Sequence, residues 1–230
     1  MNQYKEVPNL ASRADLQKYA DGIGQVDNLV ERLHSEGRLP ERFTPEPSRL
    51  HTSIEGKIRI EPWTMGGKDG QTLLGGLTGR GRKIGSYARS MVESLEFTTL
   101  PEPTTIEVGL LKVGDLGIKK DYPTTADIIG TKDDVDEQGN SAPFSKGRIN
   151  ELGLELLPAE ALLHCLLENG DKLQLGEPLI AGMKPIAASD GNPHVFHVER
   201  LDDGLWLGDS WADPDYEWGP DDRFVFGLRK

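Results

Sequence analysis

The amino-acid sequence predicts an α+β fold, and three features of its pattern predict it. Residues 106–113 form a run of β-branched and aliphatic residues that suits a strand. Two segments with helix-start signals follow it. Four short strand-like runs separated by turn clusters then close the chain. Strands and helices grouped in this order build an antiparallel meander with helices to one side, not the alternating units of a doubly wound parallel sheet.

Taken from the start, residues 12–36 space their apolar residues three to four apart, with Ser12 or Asp15 as cap and Gly37 as stop signal, which predicts one helix or two short ones. Pro40, Pro45 and Pro47 make residues 37–50 a linker, so residues 1–50 read as a helical N-terminal region. Residues 51–98 read as a helical hairpin or extension, with permissive glycines at 66, 67, 70, 75, 76, 79 and 81 and an amphipathic segment at 84–95. Gly67-Lys68 lacks a phosphate-cradling context, because Pro62 stands where a P-loop needs glycine and Asp69 where it needs Ser or Thr. The cluster Arg80-Gly81-Arg82-Lys83 reads as a solvated turn.

From residue 99 to 230 the pattern is that of a single domain. After the strand at 106–113, residues 123–129 start a helix with Thr124 or Thr125 as cap. Residues 131–147 form an inserted loop, and residues 158–168 a second helix with Pro158 in its first turn. The strand runs are 178–183, 195–198, 205–207 and 224–228, and the turn clusters are 189–193, 202–204 and 219–222.

Composition bounds the function. At 230 residues, 36% hydrophobic and 28% charged, the chain is long enough to bury a core and is not disordered throughout. A net charge of -12 predicts a soluble protein that repels nucleic-acid backbones, so no nucleic-acid partner is expected. The start Met1-Asn2-Gln3-Tyr4-Lys5-Glu6 has no signal-peptide character, and no apolar run approaches the ~20 residues that span a bilayer. The expectation is a cytoplasmic protein without membrane insertion, with surface display by another route left open. The single cysteine, Cys165, excludes an internal disulfide and sits in an apolar helix segment, as a packing residue and not a nucleophile.

The C-terminal segment alternates large anchors with short polar positions. Leu205, Trp206, Leu207, Trp211, Trp218, Phe224 and Phe226 are expected to pack, and the residues between them to face out. The outward set comprises Gly208, Asp209, Ser210, Asp213, Asp215, Tyr216, Gly219, Asp221 and Asp222, with His194, His197 and Leu201 upstream.

The element order, with the ending Asp203-Gly204-Leu205-Trp206-Leu207, Trp211-Ala212, Pro214, Trp218, Pro220 and residues 223–230, resembles the variable proteins of diversity-generating retroelements. The resemblance covers residues 100–230 as a pattern and 190–230 as a motif, with Gly227 departing from the arginine expected in the closing strand. It implies a C-type-lectin-like fold with a variable region at about 190–230. In that family a reverse transcriptase misreads adenines of a template and rewrites the end of the target gene, so binding specificity changes while the scaffold stays. Misread adenines in an asparagine codon yield every residue type in the outward set, whereas Glu217 and the tryptophans cannot arise from that codon. The implied function is recognition of a macromolecular ligand, a protein, without catalysis and without a cofactor.

The same residue types suit other chemistries. Asp202, Asp203, Asp209, Asp213, Asp215, Glu217, Asp221 and Asp222 suit calcium by type, but no run matches the twelve-residue calcium loop, and the aspartates equally well solvate turns. His194 and His197 with Glu199 suggest zinc, but residues three apart on a strand point to opposite faces. A hydrolase is the enzyme alternative. It lacks a Gly-x-Ser-x-Gly elbow, His51 and His164 have no partner that the sequence identifies, and adjacent carboxylates such as Asp202 and Asp203 rarely face one substrate. The N-terminal helix serves either oligomerisation or packing on the C-terminal domain.

Overall fold

The computed structural model describes residues 50–229, so the helix expected at 12–36 and nearly all of the linker lie outside the described residues. The chain is a mixed α/β structure with a mostly sheet body. Its strands are β1 Arg59–Met65, β2 Lys83–Ile84, β3 Thr104–Lys112, β4 Leu154–Glu155, β5 Leu179–Ala181, β6 Ile186–Ala187, β7 Pro193–Leu201, β8 Gly204–Trp211 and β9 Arg223–Leu228. Its helices are α1 Gly70–Gly79, α2 Ser86–Val92, α3 Thr125–Ile129, α4 Arg148–Glu151 and α5 Ala161–Glu168. None of these helices is long and apolar enough to cross a membrane.

The strands form one sheet in the order β1-β3-β9-β5-β7-β8-β2, with β4 added to β9 and β6 to β7. The expected antiparallel meander holds for β7 and β8, but β5 runs parallel to β9 and β2 parallel to β8. The reason is visible in β9. Phe224-Val225-Phe226-Gly227-Leu228 is a nearly continuous apolar run, all of it buried, and such runs occupy sheet interiors covered on both faces. β9 therefore lies between β3 on one side and β5 and β4 on the other.

Residues 51–98 do not form a separate helical hairpin. They supply α1 and α2, but also β1, which pairs with β3 along its whole length from Arg59↔Leu110 to Met65↔Thr104. No division falls at residue 99; Ser48–Arg229 is one compact unit. Trp63 and Met65 turn inward from β1 while Arg59, Ile60 and Thr64 are exposed. Pro62 hid this strand from the sequence pattern, and its position is the one a proline tolerates, on a strand at the edge of the described sheet.

The helices follow their local signals. Asp69 caps α1 by accepting from the Thr72 amide at 2.7 Å. Thr124 and Asp127 form a reciprocal capping box on α3. In α5 every residue from Ala161 to Leu167 is buried, because this helix contacts β1, β7 and β8 as well as α1. Residues 131–147 hold none of the helices or strands named above. The buried Asp134 side chain pins this loop by accepting from the Thr131 amide, the Thr131 hydroxyl and the Lys146 amide.

Two glycines sit where β9 and its neighbours approach most closely. A Cβ on Gly182 would lie 2.0 Å from a ring carbon of Phe226. A Cβ on Gly227, the position where the resemblance expects an arginine, would lie 3.0 Å from Cγ of Glu155 on β4. Gly182→Ala is expected to cost about 1–3 kcal/mol by overpacking against Phe226, and chemical denaturation measures it; a neutral result would mean that β9 can shift.

Candidate functional site

The segment joining β8 to β9, residues 212–222, is held at its backbone by the start of α3. The Thr125 amide donates to the Tyr216 carbonyl and the Ala126 amide to the Pro214 carbonyl, each at 2.9 Å. The Trp218 amide donates to the Pro123 carbonyl, and its indole Nε1 donates to the Thr125 hydroxyl at 3.0 Å. With the capping box, these bonds employ the N-terminal amides that a helix otherwise leaves unpaired. At the far end, the Gly219 amide donates to Asp222 Oδ2 at 2.7 Å, and the amides of Val113 and Gly114 donate to the carbonyls of Asp222 and Pro220.

This pinned backbone leaves its side chains outside. Asp213, Asp215, Tyr216, Glu217 and Asp221 are exposed, as is Leu201 at the β7–β8 turn. Among the expected anchors, Trp218, Phe224 and Phe226 are buried and form a continuous aromatic stack. Trp218 meets Phe224 edge-on at 4.9 Å, and Phe224 stacks on Phe226 at 5.5 Å.

Two anchors are corrected. Trp211 is 49% exposed, and Trp206 is only half-buried, with its indole donating to Asp203 and the Lys83 ammonium 5.0 Å above its ring. The alternation along β8 explains Trp206: Leu205 and Leu207 take the inward positions, which leaves it on the opposite face. Trp211 shares the parity of those leucines but is the last residue of the strand, where its ring lies 6.4 Å from that of His194. Lys83 also pairs with Asp203 at 2.6 Å, and Arg80 donates to the Leu167 carbonyl at the end of α5. The 80–83 cluster is therefore a structural clasp and not only a solvated turn.

Several positions expected to face out do not. His194 is 4% exposed, with Nδ1 2.8 Å from Asp209 Oδ2 and Nε2 3.4 Å from Asp190 Oδ2. The rings of Tyr87 and Trp211 flank it at 5.5 and 6.4 Å. His197 is partly buried and bonds Ser210 through Nδ1 at 2.9 Å. Gly208 lies under it, since a Cβ there would stand 2.2 Å from His197 Nε2. Asp209, Ser210, Gly219 and Asp222 are only partly exposed, and all but Gly219 accept or share side-chain hydrogen bonds that brace the fold. Tyr87 and Asp190 went unnoticed in the sequence. The Asp190-Gly191-Asn192 turn ahead of His194 is the signal that points to the latter.

Burial pushes the Cys165 thiol up to about 12, which removes the thiolate at neutral pH. His164 does have a partner: Nε2 lies 3.2 Å from Glu160 Oε2, four residues earlier on the chain, and accepts from the Gly66 amide. Glu160 also accepts from the Leu100 amide, so the pair fastens two loops. The carboxylates proposed for calcium are dispersed. Asp203 is with Lys83, Asp209 with His194, Asp221 with Lys112 at 2.7 Å, and Asp222 with the Gly219 amide. Among the described residues no group of three or more His, Cys, Asp or Glu could hold a metal ion.

Compared with protein-family models, curated proteins and solved structures, the chain finds no match in any of the three.

Trp218→Ala is expected to cost about 3–5 kcal/mol, the value for a fully packed aromatic. Trp206→Ala costs about 1–2 kcal/mol, because part of that ring stays in water; parallel denaturant titrations compare them, and equal losses would contradict the assigned faces. Burial also holds the pKa of both His164 and His197 below 6.5, against the opposing pull of Glu160 and Glu199 respectively. The unfolded chain then binds more protons than the folded one once pH falls below 6.5. Stability is therefore full above 6.5 and declines as pH drops toward the folded-state values. Unfolding free energies measured at pH 7.5 and 5.5 test this, and His197→Gln should flatten the slope.

Proposed function

We propose that the chain is a ligand-binding protein whose 212–222 segment presents changeable side chains to a protein ligand, without catalysis. One observation carries this proposal. The segment is fixed mainly through main-chain atoms and the plugged Trp218, so its fold depends little on what stands at Asp213 and Asp215, with Tyr216 adding an edge-on contact to Trp218. Binding residues on a rigidly held loop are the arrangement recognition favours. Tyr216 supplies aromatic contact area, Trp211 adds a second exposed ring, and the surrounding carboxylates favour a basic partner.

The diversity-generating retroelement remains the proposed source of change, with a C-type-lectin-like scaffold. The order strand, helix, helix, strands is present as β3, α3, α5, then β5, β7, β8 and β9, with α4, β4 and β6 interposed. On this proposal the variable positions concentrate at Asp213, Asp215, Tyr216 and Leu201, whereas His194, His197, Gly208 and Asp209 belong to the scaffold.

Sequencing the DNA around the gene tests the retroelement. An imperfect copy of the segment encoding residues 190–230, differing at its adenines and lying beside a reverse-transcriptase gene, is expected; its absence removes that proposal. Replacing Asp213, Asp215 and Tyr216 together with alanine tests the loop. The triple variant should lose no more than about 1.5 kcal/mol, nearly all from the edge-on Tyr216–Trp218 contact. A larger drop in melting temperature would make these residues structural.

A further inference from the structure

A cleft of about 280 Å³ opens at the other side chains of β3 and β9, lined by Lys57, Arg59, Lys112, Lys172 and Arg223 against only two carboxylates, Asp115 and Glu177. This cationic excess stands in a chain of net charge -12. Register makes it deliberate in physical terms: Lys112 and Arg223 are directly opposite across β3 and β9, and like charges so placed destabilise a sheet unless an anion compensates them. We propose that the cleft is a binding site for a small phosphate-bearing molecule.

The cations are only loosely committed to the protein. Lys112 pairs with Asp221, whose side chain is 88% exposed, and Lys57 reaches Asp115 only at 3.8 Å. Arg223 Nη1 lies 2.6 Å from Glu177 Oε2, yet that buried oxygen makes no hydrogen bond, so the contact is charge attraction without a directed donor. Lys172 has no carboxylate partner among the described residues and donates to Asn169. The pairs of Lys57 and Lys112 are solvent-facing ones of the kind that contribute at most about 1 kcal/mol, so a phosphate can displace them. Two guanidinium groups offer fork-shaped donors that match phosphate oxygens. Leu110, Leu173 and Pro178 complete the wall with apolar surface for the organic part of the ligand.

Titration calorimetry of the full chain at low salt, with inorganic phosphate and pyrophosphate as probes, tests the site. Saturable binding at one site is expected. The double variant Arg59→Gln/Lys172→Gln should weaken it about tenfold or more through loss of two charge-assisted contacts. The charge-matched control Lys119→Gln/Lys132→Gln, which lies outside the cleft, should leave it unchanged. Both variants alter exposed side chains, and matching melting temperatures confirm their folding. No saturable binding, an equal loss in the control, or no loss in the cleft variant overturns the proposal. Binding to vesicles containing phosphoinositide without affinity for either soluble probe also overturns it, because the site would then recognise a membrane surface.

Discussion

Everything in the described sheet depends on β9 finding neighbours on both sides. Its apolar run cannot sit at an edge, since Phe224, Val225, Phe226 and Leu228 would expose their side chains and a full row of backbone polar groups. Pairing with β3 joins residues more than a hundred positions apart, as in Val108↔Gly227. Pairing with β5 and β4 then closes the other side. The cost of this arrangement is close packing. Gly182 exists without a side chain because Phe226 occupies that volume, and a side chain at Gly227 would crowd Glu155. The strand's demands thus fix residue identity on elements far from it in sequence.

The 212–222 segment resolves a conflict between order and freedom. A loop that recognises ligands needs a fixed course, but fixing it through its own side chains would prevent them from changing. Here the fixing groups are chiefly main-chain carbonyls facing the first amides of α3, together with one indole and, at the far end, the Asp222 carboxylate. A helix start supplies donors that require partners in any case, so the loop gains its anchorage from a need that the helix already has. Asp134 does comparable work for the 131–147 loop by a different means, accepting three bonds with one buried carboxylate. That loop is thereby bound to one residue's identity, whereas 213–217 is not.

Much of the second half was legible because its signals are local. The Thr124 cap, the turn at 202–204 and the apolar run at 224–228 each depend on a few adjacent residues. What was illegible depends on distant partners. β1 looked unlike a strand because Pro62 interrupts it, and only its position at the edge of the sheet makes that proline acceptable. Trp206 and Trp211 look like core residues because large aromatics usually pack, yet Leu205 and Leu207 take the inward positions of β8 and turn Trp206 to the other face, while Trp211 shares their parity but ends the strand and stays half-exposed. His194 was assigned to the surface by its polarity. Two aspartates, one before it in a turn and one across the sheet, make its burial tolerable, and no short window of sequence contains both.

The edge position of β1 has a consequence for how these molecules behave when crowded. An unpaired strand edge is a template for a second chain, and long flat apolar edges lead to fibrils. β1 is seven residues long, but Pro62 removes one donor from its row and Arg59 and Glu61 place charge along it. At the other end, β2 is only two residues long. Both margins of the described sheet are thus poor partners for a neighbouring copy, so a protein with a deeply apolar central strand can be concentrated without its sheets joining end to end.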